Sequence, residues 1–124
     1  MTTIIHFFNG IDEQIENHYF QKEYRNDVIV QVDNKYYEVY FFTQSAIEYE
    51  LRDNIFFSSP GLIILDEIKL EKIVSTITFL IDIGYFNQFI GYDENPINNR
   101  FINKWYANQL SNFNQEKLAS IYLK

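Results

Sequence analysis

Residues 28–43, VIVQVDNKYYEVYFFT, contain two strand-like runs that meet at Asp33-Asn34-Lys35. Asp and Asn both tolerate the positive φ that tight hairpin turns demand. A two-residue loop at Asp33-Asn34 or at Asn34-Lys35 places Val28, Val30 and Val32 on one face with residues from the set Tyr37, Val39 and Phe41. Side chains alternate with a period of two, so a one-residue slip that brings Glu38 against Val30 is disfavoured wherever that face is buried. The opposite face carries Ile29, Gln31, Tyr36, Glu38, Tyr40 and Phe42. It is too aromatic to be fully wet, which predicts a partial cover of its own.

The flanking segments read as that cover. Thr2 to Phe8 suits a strand, although Ile4, Phe8, Ile11, Ile15 and Tyr19 also fall at helical spacing. Gly10 interrupts that pattern, so a strand-like or irregular opening is expected, then a helix from Ile11 to Phe20 with Asp12, Glu13 and Glu16 near its positive end. Ser45-Ala46-Ile47-Glu48 has the form of a capping box and predicts a short helix to Asn54. Its inner face would carry Ile47 and Leu51. Ser59-Pro60-Gly61 is a turn, and the uninterrupted apolar run Leu62 to Leu65 is the pattern of a strand buried on both faces.

The clearest helix follows Asp66-Glu67. Leu70, Ile73, Val74, Ile77, Leu80 and Ile81 recur at steps of three and four up to Gly84, a natural residue for the left-handed position past a helix end. Tyr85 to Gly91 suits one helical turn. Phe101, Ile102, Trp105, Tyr106 and Leu110 describe a further amphipathic helix, and Leu118, Ile121 and Tyr122 a last short one. The expected fold class is α+β: one domain over residues 1–124, with a small, mainly antiparallel sheet built on the central hairpin and helices largely on one face.

Charge and composition narrow the function. The net charge is −7, and it is uneven: residues 1–96 hold 16 acidic and 6 basic residues, residues 97–124 hold 1 and 4. Nucleic-acid binding draws on clustered Lys and Arg, so a basic protein is the better partner. With no cysteine there is no disulfide, thiol nucleophile or sulfur metal site, which fits a reducing compartment. The N-terminal MTTIIHFFNGIDEQ lacks the basic and long apolar regions of a secretory signal, and no apolar run approaches the roughly 18 residues of a membrane span. A soluble cytoplasmic protein is expected.

No catalytic pattern emerges. His6 and His18 do not stand at metal-ligand spacing, and the glycines at 10, 61, 84 and 91 form no phosphate-binding loop. No serine lies in a nucleophile elbow. Neither metal nor cofactor is expected. Asp66-Glu67, at the end of a strand, is the one carboxylate pair placed where acid–base chemistry is expected, with Glu71 or Asp93-Glu94 as a second member. Its commoner role is to cap a helix and oppose its dipole.

Aromatic residues make up 19% of the chain, with 12 Phe and 10 Tyr. Tyr36, Tyr40, Tyr49, Tyr85 and Tyr92 are candidates for partial exposure, and tyrosines beside carboxylates suit protein interfaces. Glu48, Glu50 and Asp53 surround Tyr49, and Asp93 and Glu94 follow Tyr92. Glu48, Glu50, Asp53, Tyr92, Asp93 and Glu94 are therefore the candidate partner-binding residues, the alternative being a merely solvated acidic face.

Taken together, VDNKYYEVYFFT, SSPGLIILDEI and the helix closing in IDIGYF resemble the pattern of small bacterial immunity proteins carried beside polymorphic toxins, including those of contact-dependent growth inhibition systems. The likeness spans residues 27–86 and rests on core and turn residues. It implies a cytoplasmic antitoxin, without enzymatic activity, that binds the toxic C-terminal domain of its cognate effector, often a nuclease, and blocks it. Such families diverge in their toxin-facing surfaces, so the resemblance assigns no interface residue. Two alternatives remain at this level: a homodimer paired along an edge at Ile29 to Gln31, and a small hydrolase using Asp66 and Glu67.

Overall fold

The computed structural model describes residues 1–96 and 117–123. Five strands, β1 (Thr3–Phe7), β2 (Tyr24–Val32), β3 (Lys35–Phe42), β4 (Leu62–Ile64) and β5 (Ala119–Leu123), form one sheet in the order β4-β3-β2-β1-β5. Only the β3–β4 pair is parallel. Among the described residues, three α-helices, α1 (Glu13–Lys22), α2 (Gln44–Glu50) and α3 (Leu70–Asp82), and a 3₁₀ turn at Tyr85–Gln88 accompany the sheet in an α+β fold.

The hairpin adopts the first of its two possible loops. Val32 pairs with Lys35, Val30 with Tyr37 and Val28 with Val39, leaving Asp33-Asn34 as the turn, with Asp33 at φ 53°. Val28, Val30, Val39 and Phe41 are buried on one face with Ile5 and Phe7 of β1. Tyr19 of α1, Ile73 and Ile77 of α3 and Phe86 cover them. α3 follows its sequence pattern closely, ending at Asp82 with Gly84 at φ 74°. The other sheet face holds a smaller cluster of Phe8, Ile29, Tyr40, Phe42 and Ala46, with Ile47 and Phe57 packed against it, so α2 and the loop after it supply the expected second cover.

Several local expectations give way. α1 starts two residues late because Asp12, not Ile11, takes the extended conformation and accepts the Ile15 N–H at 2.9 Å. α2 is capped by Thr43, whose hydroxyl accepts the Ala46 N–H at 3.3 Å, so Ser45 lies within the helix and no Ser45–Glu48 box forms. α2 ends at Glu50, leaving Leu51 42% exposed. β4 is the edge strand of the described sheet and is not buried on both faces along its length: the two clusters take in Ile63 and Leu62 but stop short of Ile64, which is 61% exposed. Asp66 caps no helix: α3 begins at Leu70, and Asp66 instead accepts the Glu67 N–H and holds Lys72 at 2.9 Å. Leu118, Ile121 and Tyr122 belong to no helix, since residues 119–123 form β5 against β1. The amphipathic segment from Phe101 to Leu110 lies outside the described residues.

One irregularity in β2 places a charge in the core. Arg25 pairs with Phe41 and Val28 with Val39, so β2 carries one extra residue between them. Such a bulge reverses the alternation of side chains. Tyr24 therefore stacks on Phe42 on one face, while Arg25 enters the main core on the other, between Phe7 and Tyr19 with its Cζ 4.8 Å and 4.6 Å from the two ring centres. The fully buried guanidinium donates to Asp27 at 2.8 Å, Glu16 at 2.6 Å and the Gly10 carbonyl at 2.7 Å. Burial alone would lower its pKa, but Asp27 and Glu16 outweigh that and raise it. Asp27 also accepts the Asn9 N–H, and Asn9 donates to the Tyr19 hydroxyl at 2.6 Å. Burial, then Asp27, pushes that hydroxyl's pKa up to about 12.

Candidate functional site

The six candidate partner residues fall into two groups at opposite ends of β3. Tyr92 exchanges backbone hydrogen bonds of 2.9 Å with Tyr36 near the hairpin turn. Glu48 and Glu50 border a groove with Tyr24 and Phe42, at the end of β3 that leads into α2. Phe42 lies six positions on from Tyr36, roughly 20 Å at the rise of an extended strand. A single contiguous patch of all six is not what the fold builds.

The α2 group has the character of an interaction surface. The groove, about 670 Å³, runs between the end of α1 and α2 and is lined by Lys22, Glu23, Ser45, Tyr49 and Arg52 as well. Tyr49 is 65% exposed and carries the Arg52 guanidinium 5.1 Å from its ring centre. Beyond Asp53, Ile55 and Phe56 project into solvent at 98% and 71% exposure. In the other group, Asp93 pairs with Lys35 and is open to solvent, Glu94 is exposed and Tyr92 is half-buried. Tyr40, a candidate for partial exposure, is buried at 4% exposure, because the bend of the chain through Phe57 and Leu62 covers that face of the hairpin.

Tyr40 leads to a second feature, which the sequence did not signal as a site. A pocket of about 360 Å³ opens at the outer edge of β3 and is lined by Tyr36, Glu38, Tyr92, Phe86, Phe89 and Ile90 among others. It occupies the interval between two attachments to that edge. Tyr36 bonds to Tyr92 on one side, and the Tyr40 N–H bonds to the Gly61 carbonyl at 3.0 Å on the other. Strand alternation therefore turns the Glu38 N–H outward into the same interval. Two glycines bring the borders close. A Cβ on Gly61, at φ +80°, would meet the Glu38 carbonyl at 2.3 Å, and one on Gly91 would meet the Tyr37 ring at 2.9 Å.

Glu38 is the charged group of this pocket. Its Oε2 accepts the Tyr40 hydroxyl, whereas its Oε1 is buried with no hydrogen-bond partner among the described residues. Burial raises the Glu38 pKa, and the Tyr40 hydrogen bond only partly opposes it. The same burial, together with the Glu38 charge, raises the pKa of the Tyr40 and Tyr92 hydroxyls. An acid whose pKa is higher in the folded than in the unfolded chain binds protons more tightly when folded. Its ionised form thus weakens the fold above the folded pKa, and the penalty fades as pH falls through that value. Glu38→Gln is accordingly expected to melt at or above the wild-type temperature at pH 7, with the gap closing at acid pH. Differential scanning calorimetry across pH measures this. A sequence signal existed in the form of one carboxylate on an otherwise aromatic strand face, but nothing local indicated its burial.

The remaining sequence candidates are quiet. Asp66 and Glu67 have lowered pKa values, through hydrogen bonds to Lys72 and Lys69 respectively. That is opposite to the raised carboxylate an acid–base catalyst requires at neutral pH. His6 bonds through Nδ1 to Ser120 and through Nε2 to Gln31, both at 2.9 Å, linking β5, β1 and β2. Ile29 to Gln31 offer no free edge, because β2 lies between β1 and β3. Among the described residues no helix is long and apolar enough to cross a membrane, and no three His, Asp or Glu side chains gather as a metal site. Comparison with protein-family models, with curated proteins and with solved structures returned no match to this chain.

Proposed function

We propose that this chain is a binding protein of the immunity type, which neutralises a basic toxin domain by covering part of its surface. The observation that supports this most is the α2 segment and the loop after it. Within nine residues, 48–56, exposed Tyr49, Ile55 and Phe56 stand among Glu48, Glu50 and Asp53. Exposed apolar side chains rimmed by charge mark interaction surfaces, and aromatic anchors carry much of the affinity at such sites. An acidic rim also speeds encounter with a basic partner, an effect that weakens with salt. The resemblance of residues 27–86 to antitoxins supports a nuclease-like toxin domain as the partner class and a cytoplasmic encounter.

The test begins with co-expression of the polypeptide encoded immediately upstream and measurement of its binding by calorimetry. Glu50→Lys with Asp53→Lys is expected to weaken that complex by roughly 1 kcal/mol or more, with most of the effect in the association rate. Their melting temperature should stay near wild type, since Asp53 is exposed and Glu50 makes no ion pair among the described residues. Wild-type affinity in this variant would remove the α2 surface from the interface. Failure of any basic upstream polypeptide to bind would remove the antitoxin reading itself.

A further inference from the structure

Asn9-Gly10, in the turn between β1 and α1, is the one Asn-Gly pair in the chain. In an unstructured peptide such a pair modifies itself. The Gly10 nitrogen gives up its proton to solvent base and bonds to the Asn9 side-chain carbonyl carbon, the bond from that carbon to Nδ2 breaks, and ammonia leaves with a proton from water. Water then opens the resulting succinimide at either carbonyl, giving aspartate or isoaspartate. Only water takes part, and glycine favours the attack because it has no Cβ to shield the nitrogen.

The fold holds the pair away from this path. The Gly10 N–H donates to the Phe7 carbonyl at 3.2 Å, closing a turn in which neither Phe8 nor Asn9 has a positive φ. That is the type I pattern, with ψ about 0° at its third residue. There the Gly10 nitrogen eclipses the Asn9 backbone nitrogen, about a third of a turn from the Cβ toward which it must swing to close the ring. The side chain is held as well, since Asn9 Nδ2 donates to the Tyr19 hydroxyl at 2.6 Å. Asp27 accepts the Asn9 N–H at 2.9 Å, and Arg25 donates to the Gly10 carbonyl at 2.7 Å. Gly10 is buried, and a Cβ there would collide with the Lys117 carbonyl.

Neither product fits the place that the amide leaves. An aspartate at position 9 has no N–H to give Tyr19, and it adds a charge beside Asp27, where Arg25 already faces two carboxylates. Isoaspartate lengthens the main chain by a methylene where Gly10 has no room against Lys117.

We propose that Asn9-Gly10 is a self-modification site gated by the Arg25 junction: inert while the junction is closed, it deamidates when the junction opens, and the product bars return to the original fold. The time a chain spends open thus becomes a permanent chemical mark. The site stands whether or not the α2 surface meets a toxin.

The experiment incubates the full wild-type chain, Arg25→Lys and a synthetic peptide of residues 5–14 in one warm, mildly alkaline buffer. Mass spectrometry follows the tryptic fragment 1–22, with fragmentation to separate Asn9 from Asn17. Modification of a transiently open state follows its population, so wild type is expected to react at least about tenfold more slowly than the peptide. Arg25→Lys should react faster than wild type. Asn9→Asp, which makes one product directly, should melt about 3 °C or more below wild type, or fail to fold. Equal rates in the wild-type chain and the peptide overturn the proposal, as does an Arg25→Lys rate no higher than that of wild type. An Asn9→Asp melting temperature equal to wild type overturns the bar on return.

Discussion

Arg25→Ala is expected to lower the free energy of unfolding by about 3–5 kcal/mol, the range seen when one partner of a buried ion pair is removed. Asp27, 5% exposed, would be left as a buried carboxylate without its counter-charge. The Gly10 carbonyl and Glu16 would each lose a donor, and the space between the Phe7 and Tyr19 rings would be vacated. Domains of ordinary size have only about 5–15 kcal/mol of stability in total, so this variant should give up a large share of it. Urea denaturation in the cold gives the value. Arg25→Lys tests the geometry separately: it keeps the charge but not the flat fork that reaches Asp27, Glu16 and Gly10 together, and should fall between alanine and wild type. Asp27 and Glu16 raise the Arg25 pKa on folding against the effect of burial, so its contribution is fully present below the ordinary arginine value and is lost only as pH climbs through the raised one. Across common buffers the loss in Arg25→Ala should therefore be nearly the same. A loss under 1 kcal/mol would mean that the guanidinium does not hold this junction.

Phe41→Ala is expected to destabilise the fold by about 3–5 kcal/mol, through lost transfer energy and the cavity left behind. Phe41 is fully buried, pairs with Arg25 on one side and Ile63 on the other, and belongs to the cluster under α3. Its midpoint in urea should drop while the slope of the transition stays constant, since the same surface is exposed on unfolding. Ile55→Ala provides the contrast. Ile55 is an apolar residue at 98% exposure, and its loss should change stability by no more than about 0.5 kcal/mol. A Phe41→Ala effect as small as that would place the residue outside the core.

Salt dependence offers a further check on the antitoxin proposal. The charges of the open patch beside Tyr49 are hydrated and screened, so association through it should weaken as salt rises.

The hairpin was legible because its information is local. Alternation fixes which residues share a face, and Asp33-Asn34-Lys35 marks where the chain reverses, with the Val32–Lys35 pairing selecting Asp33-Asn34 from the two loops it allows. α3 was legible for the same reason, with its stripe at period 3.6 and Gly84 at its end. β5 misled because Leu118, Ile121 and Tyr122 fall at helical spacing, while Ala119, Ile121 and Leu123 alternate equally well as a strand. Its pairing with the outer edge of β1 decided between the two. The apolar run at β4 carried the composition of a central strand, but composition does not count the neighbours on either side. The β2 bulge was invisible because one inserted residue reverses the alternation on which sequence reading depends.

The sequence by itself determined an α+β chain organised on the hairpin at residues 28–43, an acidic surface and a long amphipathic helix over its apolar face. All of these follow from periodicity, turn chemistry and charge, properties of residues a few positions apart. Only the tertiary structure decided that Arg25 is an internal charge and Glu38 a half-buried one with one oxygen unpartnered among the described residues, and that the acidic candidates divide into two groups. Desolvation and strand pairing arise between segments as distant as Gly10 and Arg25, or Glu38, Gly61 and Tyr92, and no local pattern encodes the dielectric that one segment creates for another.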